Sequence, residues 1–236
     1  MPDVKVTLSA NAGVCIELAG KKIWVDALFS DADVGFSPMS AELAQRVLES
    51  DAFANPDHIV ITHCHPDHYS RELAAVAAKR WGSAGLYLPE QELESQVLLS
   101  GEEMCFADGD LTLRFLRLPH EGAQYAHVKH YGLLLSVPGC NILLPGDCAM
   151  ANSALARAVG DTRIDLAILD FPWITLRGGR AFLESHIRPT HIVAYHLPFA
   201  EDDGNGYRLA AAKAAQRMAG DVRLLLEAMQ TEIIKI

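Results

Sequence analysis

Residues 58–69 read His-Ile-Val-Ile-Thr-His-Cys-His-Pro-Asp-His-Tyr, and the six positions from His63 to His68 hold three histidines and an aspartate. Imidazoles grouped beside a carboxylate are expensive to desolvate unless they bind a cation, and nitrogen and oxygen donors at this density are what a metal site requires. Residues two apart in an extended loop project to the same side. His63 and His65 can therefore grip one ion, while Asp67 and His68, beyond Pro66, can face a second. Two ions at the roughly 3.5–4 Å spacing of dinuclear hydrolases need a bridging oxygen. Asp147 is the natural candidate, because it follows an apolar run and Gly146 permits close backbone approach. A donor set without thiolate favours zinc, with manganese or iron as alternatives.

These residues share a position: His63, His65, Asp67, His68, His120, Asp147 and His196 each come just after an apolar strand. Loops after strands gather at one edge of a layered α/β fold, where scattered ligands can converge. Alternating or apolar runs predict strands over 4–8, 14–18, 22–25, 58–61, 85–88, 111–118, 131–137, 141–144, 165–169 and 191–195. Helical spacing is found over 41–48 and 71–81, with Ser40 and Ser70 as N-caps. Pro89 predicts a helix start running to about 99, a short helix follows near 180–185, and a last alanine-rich helix spans 207–218. The region 222–236 reads as a strand pair, and 28–39 as a loop bordering a pocket. Two groups of strands, each followed by helices, predict two sheets between helical layers.

The order His63-x-His65-x-Asp67-His68, a later histidine, Gly146-Asp147 and finally His196 resembles the metallo-β-lactamase-fold hydrolase superfamily. The opening Asn11-Ala12-Gly13, leading into a hairpin that ends at Asp26, resembles its ascorbate-lactonase-like branches. The resemblance spans most of the chain and implies an α/β fold, a four-layer αββα sandwich, with a dinuclear site at one edge. It also implies that His63, His65 and the later histidine hold the first ion, Asp67, His68 and His196 the second, and Asp147 both. Proline-histidine at 119–120 favours His120 as that later ligand, and His127, standing shortly before Gly132, is the alternative; His130 reads as structural or exposed.

Other residues carry two readings. Asp26 is either a buried acid that orients a ligand or a turn residue. Cys64 and Cys148 read as small packing side chains, and His58, His186 and His191 as structural. Tyr125 and Tyr195 are either oxyanion donors or ordinary buried aromatics. In the loop 171–180, Trp173 either walls the substrate pocket or joins the core, and Arg177 or Arg180 either meets an anion or faces solvent. Glu201-Asp202-Asp203 reads as a solvated run, and the last helix as packing surface or an oligomer face.

The 236 residues suit one domain over 1–236, and half of them are hydrophobic. A formal net charge of −10 argues against a general nucleic-acid binder and for a small-molecule substrate. The five scattered cysteines suggest reduced thiols, and no signal peptide or membrane-length apolar run is present, so the expected setting is cytoplasmic, with no membrane partner. The expected activity is hydrolysis by a hydroxide bridging two metal ions, with Asp67 and Asp147 as catalytic carboxylates, on a small ester, lactone or phosphodiester. The alternatives are a nuclease or RNA-processing phosphodiesterase, and a non-catalytic metal-binding regulatory protein.

Overall fold

The computed structural model describes residues 3–31, 35–82 and 84–236. Residues 1–2 of the amino terminus and 32–34 of the predicted loop thus lie outside the described residues. The first sheet is built from β1 (Asp3–Leu8), β2 (Val14–Leu18), β3 (Lys21–Val25), β4 (His58–Val60), β5 (Gly85–Leu88) and β6 (Val97–Leu98). It is closed on its other side by the final strand, β14 (Thr231–Lys235), giving the order β14-β1-β2-β3-β4-β5-β6. The second contains β7 (Glu103–Asp108), β8 (Leu111–Arg117), β9 (Tyr131–Val137), β10 (Cys140–Leu144), β11 (Leu166–Asp170), β12 (His191–Tyr195) and β13 (Asp221–Leu224), ordered β13-β12-β11-β10-β9-β8-β7.

Both sheets are mixed in the same way. Pairing is antiparallel from β14 through β3 and parallel from β3 to β6. In the second sheet it is antiparallel from β7 through β10 and parallel from β10 to β13. Consequently β3 and β4 end at one edge of the first sheet, and β8, β10, β11 and β12 end at one edge of the second. Direct links bring those edges together: Tyr131 N–H donates to Thr62 O at 2.9 Å, and His196 N–H donates to Asn11 O at 3.1 Å.

Three buried clusters define the layers. Val6, Ile16, Ile23 and Val60 from the first sheet meet Leu113, Phe115, Leu133, Ile168 and Val193 from the second, which makes the core between the sheets. On the outer face of the first sheet, Trp24, Ile59 and Leu86 pack against Ala44 and Val47 of α1 (Ala41–Glu49) and Ala74 and Ala77 of α2 (Arg71–Arg80). On the outer face of the second, Leu143, Ala167 and Leu169 pack against α3 (Ser153–Val159), α4 (Pro172–Thr175), α5 (Arg177–Phe182) and α6 (Tyr207–Ala215). This is an αββα sandwich. The strand periodicity predicts it because each sheet presents apolar side chains to both faces. Ser40 and Ser70 accept from Leu43 N–H and Leu73 N–H at the starts of α1 and α2. No helix among the described residues is long and apolar enough to cross a membrane.

Local structure departs from the sequence reading in several places: the pattern predicts neither β7 nor α3, and the expected loop after β11 contains α4 and the start of α5. Residues 89–96 form turns rather than a helix, because Gln96 Oε1 accepts from both Glu92 N–H and Leu93 N–H (2.8 and 2.7 Å) and its amide donates to Glu90 O. Those side-chain bonds replace the helical ladder and leave Val97 and Leu98 to pair with β5. The predicted terminal strand pair is instead divided between the sheets: β13 extends the second beside β12, and β14 closes the first beside β1. The connection crosses through Leu225 N–H to Ala194 O and Met229 N–H to Leu8 O.

Candidate metal centre

β4 delivers Thr62 to His68 directly to the joined edge, where the loop turns at residues 66–68 before Ser70 caps α2. His63 Nε2 lies 3.0 Å from His65 Nδ1 and 3.3 Å from His120 Nε2. β8 supplies His120, fixed by a bridge to Cys148 and by its ring Nδ1–H donating to Glu121 O at 2.8 Å. His63 Nδ1 faces Thr62 Oγ1 at 2.9 Å. Because that hydroxyl donates to Asp26 Oδ2 at 2.6 Å, it must accept from His63, so the hydrogen sits on Nδ1. His63 and His120 therefore aim bare Nε2 lone pairs at one point with His65. Tetrahedral zinc with bonds of about 2.0–2.1 Å sets neighbouring ligand nitrogens about 3.3 Å apart. The donor set fits such an ion, and without a cation the facing lone pairs repel.

A second convergence lies beside it. His68 Nε2 approaches His196 Nε2 at 3.2 Å, Asp147 Oδ2 at 3.2 Å and Asp67 Oδ2 at 3.7 Å. His196 Nε2 stands 3.6 Å from both Asp67 Oδ2 and Asp147 Oδ2. The three nitrogens of the first group and the Asp67, His68 and His196 donors of the second each lie within 4.8 Å of one another. Asp147 Oδ1 is buried without a hydrogen-bond partner. A bare carboxylate oxygen on a residue already beside His68 and His196 is free to act as a further ligand. His127 is exposed on the surface and joins neither group.

Behind both groups sits Asp26, fully buried at the end of β3. Its Oδ1 accepts Thr62 N–H at 2.7 Å, and its Oδ2 accepts the Thr62 hydroxyl and His68 Nδ1–H at 2.6 and 2.9 Å. One carboxylate thus holds His68 directly and His63 through a hydroxyl, leaving both Nε2 atoms bare toward the donor groups. The close grouping of Asp26, His63 and His68 is this hydrogen-bond belt on the Nδ1 side of the rings, not a further ion site. Asp26 and His196 take left-handed backbone angles (φ 51° and 58°), as does Gly146 (φ 59°). For the two non-glycine residues that is strain of the kind concentrated at functional sites.

The electrostatics divide the centre. Burial, reinforced by His68, pushes the His63 pKa well below the usual imidazole value, and burial lowers His65. Burial would also lower His68 and His196, but the neighbouring carboxylates, Asp147 foremost with Asp67 and, for His68, Asp26, together outweigh it and raise both. For Asp147, burial works to raise the pKa, and His68 with His196 outweigh it and hold the carboxyl well below its usual range. Asp170 goes the other way: burial, then the neighbouring Asp147 charge, raise it well above the carboxylate range.

The two groups open on a cavity of about 200 Å³ lined by Phe36, His65, Asp67, His120, Glu121, Tyr125, Asp147, Asp170, Phe171, Pro172 and His196. Phe36 meets His196 edge-on with centroids 5.1 Å apart, and Tyr125 does the same to His65 and His120 at 4.9 Å each. Several sequence candidates lie elsewhere. Trp173 is fully buried in the core of the helical layer and does not wall the cavity; the turn at Phe171 and Pro172 presents those residues instead. Arg177 is exposed, and Arg180 turns away to donate to Ile174 O and Thr175 O at 2.9 and 2.6 Å. Tyr195 is buried below the centre, Cys64 packs against the first helical layer and Cys148 lies beside Asn152. His58 bonds Asp108 and Tyr87, His191 bonds Asp221, and Asp203 caps α6 through Tyr207 N–H and Arg208 N–H. His130 is buried against Gly146 and His63 with both ring nitrogens unpartnered.

Phe36, Glu121 and Asp170 are cavity residues that sequence reasoning passed over. Asp170 ends a strand at the same edge as Asp147, so its position was the available signal. Phe36 lies in the 28–39 loop expected to border a pocket, and only contact picks it out from its neighbours.

No protein-family model and no curated protein sequence matches this chain. Solved structures do. The metallo-β-lactamase-fold protein YhfI from Bacillus subtilis is 14% identical with a TM-score of 0.62, over 99% of this chain and 100% of that one. Igni18, a metallo hydrolase from the archaeon Ignicoccus hospitalis, is 16% identical at 0.64, over 99% of both chains. An isothiocyanate hydrolase from Delia radicum gut bacteria is 17% identical at 0.66, over 97% of this chain and 98% of that one. At these identities the similarity is one of architecture: the chain has the metallo-β-lactamase fold.

Proposed function

We propose that this chain is a dinuclear metal-dependent hydrolase acting on a small uncharged ester or lactone, with zinc as its metal. One observation carries the reading: six donors in two groups, with Asp147 beside the second and one of its oxygens bare, converge at the mouth of a cavity about 200 Å³ in volume. His63, His65 and His120 would hold one ion, Asp67, His68 and His196 the other, and Asp147 both. Two such ions supply an acidified water near neutral pH and polarise a substrate oxygen.

The chain's own residues do the positioning. Asp67, with its side chain 13% exposed on the cavity wall, is placed to orient the attacking water or to take its proton. Phe36, Phe171 and Tyr125 offer flat apolar surfaces that hold an uncharged substrate and exclude bulk water. Glu121 and Asp170 add negative charge, and no lysine or arginine lines the cavity among the described residues. A phosphodiester would find no counter-ion in the protein there, and a nucleic-acid backbone still less. This favours the carbonyl substrates over the phosphodiesters and over the nuclease alternative. A purely regulatory metal protein would have no use for an open cavity against the donors. Five free cysteines, with no disulfide, fit a reducing cytoplasmic setting.

The test is metal analysis combined with a substrate panel: neutral aryl esters, lactones, an isothiocyanate and a chromogenic phosphodiester, each before and after chelation. The expected result is about two ions per chain and chelator-reversible turnover of a neutral ester or lactone, with the phosphodiester poorest; turnover of the isothiocyanate alone would keep the hydrolase reading and remove the ester and lactone assignment. A fully metallated protein that turns over none of them removes the enzyme reading. Preference for the phosphodiester removes the substrate assignment.

A further inference from the structure

A second cleft, of about 300 Å³, lies between α6 and the α4–α5 segment and is lined by Thr175, Arg180, Ala210, Lys213, Ala214 and Arg217. Ala210 and Ala214 are four apart, as are Lys213 and Arg217, and Ala210–Lys213 and Ala214–Arg217 are three apart, so the four share one face along α6 and the turn that continues it. The two alanines are too small to fill the space, and they leave the floor of the cleft open. Lys213 and Arg217 border it from one side and Arg180 from the other.

The charges in this cleft are unbalanced. The chain carries 30 acidic and 20 basic residues, yet three basic side chains and no acidic one line this cleft. Among the described residues, neither Arg180, Lys213 nor Arg217 makes an ion pair, so no carboxylate of the chain neutralises the three charges that meet here, as one does for Lys5, Arg114 and Arg208. Lys213 and Arg217 are moreover like charges four apart on one helical face, which is unfavourable without a counter-ion. Arg180 is half-buried, and its Nη1 is fixed by the carbonyls of Ile174 and Thr175. Backbone carbonyls satisfy those N–H groups but do not cancel the charge.

We propose that this cleft binds the phosphate group of a small molecule. Three cations around one space match a group carrying about two negative charges and three acceptor oxygens better than a single carboxylate. The cleft exceeds a phosphate in size, holding the volume of roughly ten waters at about 30 Å³ each, which leaves room for the body of the ligand. It is separate from the metal cavity: Phe171 and Pro172 face that cavity at the start of α4, and Thr175 faces this cleft at its end. The ligand is therefore a second molecule beside the hydrolytic substrate.

Calorimetric titration of the metal-loaded protein with inorganic phosphate, and in parallel with acetate, tests this. The expected outcome is saturable phosphate binding at one site that weakens with added salt. It should weaken roughly tenfold or more in K213A/R217A, and stay unchanged in R46A/K79A, which removes two cations from the opposite helical layer. The residues changed in both variants lie on the helical surface, and unchanged metal content and thermal transition verify the fold. Absence of saturable binding at millimolar phosphate overturns the proposal. So does equal binding in the two double variants, or binding that vanishes on metal removal while persisting in K213A/R217A, which places the ion on the metals. Acetate binding as tight as phosphate overturns the assignment to a phosphate group.

Discussion

Replacing Asp26 by asparagine should weaken metal binding at both proposed ion sites without touching a residue proposed to ligate either. The carboxylate accepts three hydrogen bonds, from Thr62 N–H, the Thr62 hydroxyl and His68 Nδ1–H, at 2.7, 2.6 and 2.9 Å. An amide accepts on one atom only. If its oxygen keeps Thr62 N–H, its NH₂ faces His68 Nδ1–H, and His68 is driven to the tautomer with hydrogen on Nε2, where a metal should be. Turning the amide over moves the clash to Thr62 N–H. Restoring the binding tautomer of His68 leaves a buried donor unpaired, at about 1–3 kcal/mol, in line with the 10–100-fold loss of affinity seen when such supporting groups are removed. The effect on His63 passes through the Thr62 hydroxyl, 2.9 Å from Nδ1, and should be about tenfold, near the lower end of that range. Thr62→Val removes only this relay, so it should weaken the His63 centre and spare the other. Each centre is read alone by competition with a chromophoric chelator in a background lacking its neighbour, H196A or H65A. Wild-type affinity at the His68 centre in D26N would refute the argument, as would equal weakening of both centres in T62V.

Two further outcomes follow from the ground beneath the site. His130 has both ring nitrogens buried and unpartnered, and burial pushes its pKa down to about 3. The unfolded chain regains a pKa of about 6.5, so it binds a proton that the native state refuses, and His130 lowers stability as pH falls from about 6.5 toward 3. His130→Leu should gain on wild type by about 2 kcal/mol between pH 7 and pH 5, measured by urea unfolding of the metal-free proteins; parallel stability curves would contradict it. Gly146→Ala should cost about 2–5 kcal/mol in the same assay, because φ is 59° and the new methyl would lie 2.7 Å from His130 Nε2; a loss below about 1 kcal/mol would mean that the ring moves aside freely.

The sequence made the layered fold and the grouping of ligands legible because both rest on local pattern. Strand periodicity and the caps Ser40 and Ser70 are local signals, and a ligand that follows a strand inherits that strand's edge. The choice between His120 and His127 was not local. It depends on His120 standing three residues beyond β8 and bridging to Cys148, while His127 belongs to the surface turns that follow Ala123–Tyr125. Trp173 shows the opposite limit. Its size and its place after a strand suit a pocket wall as well as a core, and only the helical turn begun at Pro172 sends it inward while Phe171 and Pro172 face the cavity. The terminal strands were found but mis-paired, because register between strands in different sheets is fixed by long-range contacts that periodicity does not encode.

The left-handed residues suggest how strand ends become a binding edge. Asp26, Gly146 and His196 each stand immediately after a strand or one residue beyond it, and each departs from extended geometry at that point. A strand continued straight would carry its side chains on past the edge, away from one another. A left-handed residue turns the chain there, so that Asp26 faces back toward Thr62 and His68, and His196 faces His68 across the seam between the sheets. Glycine accepts that conformation freely, and Gly146 must, because His130 fills the space a side chain would take. Asp26 and His196 bear the strain with their side chains held by buried partners. Asp26 is held by Thr62 and His68 at the first sheet's own edge, whereas His196 meets His68 and Asn11 only across the seam, so the His68–His196 half of the centre should be among the last parts of the molecule to become ordered as the two sheets dock.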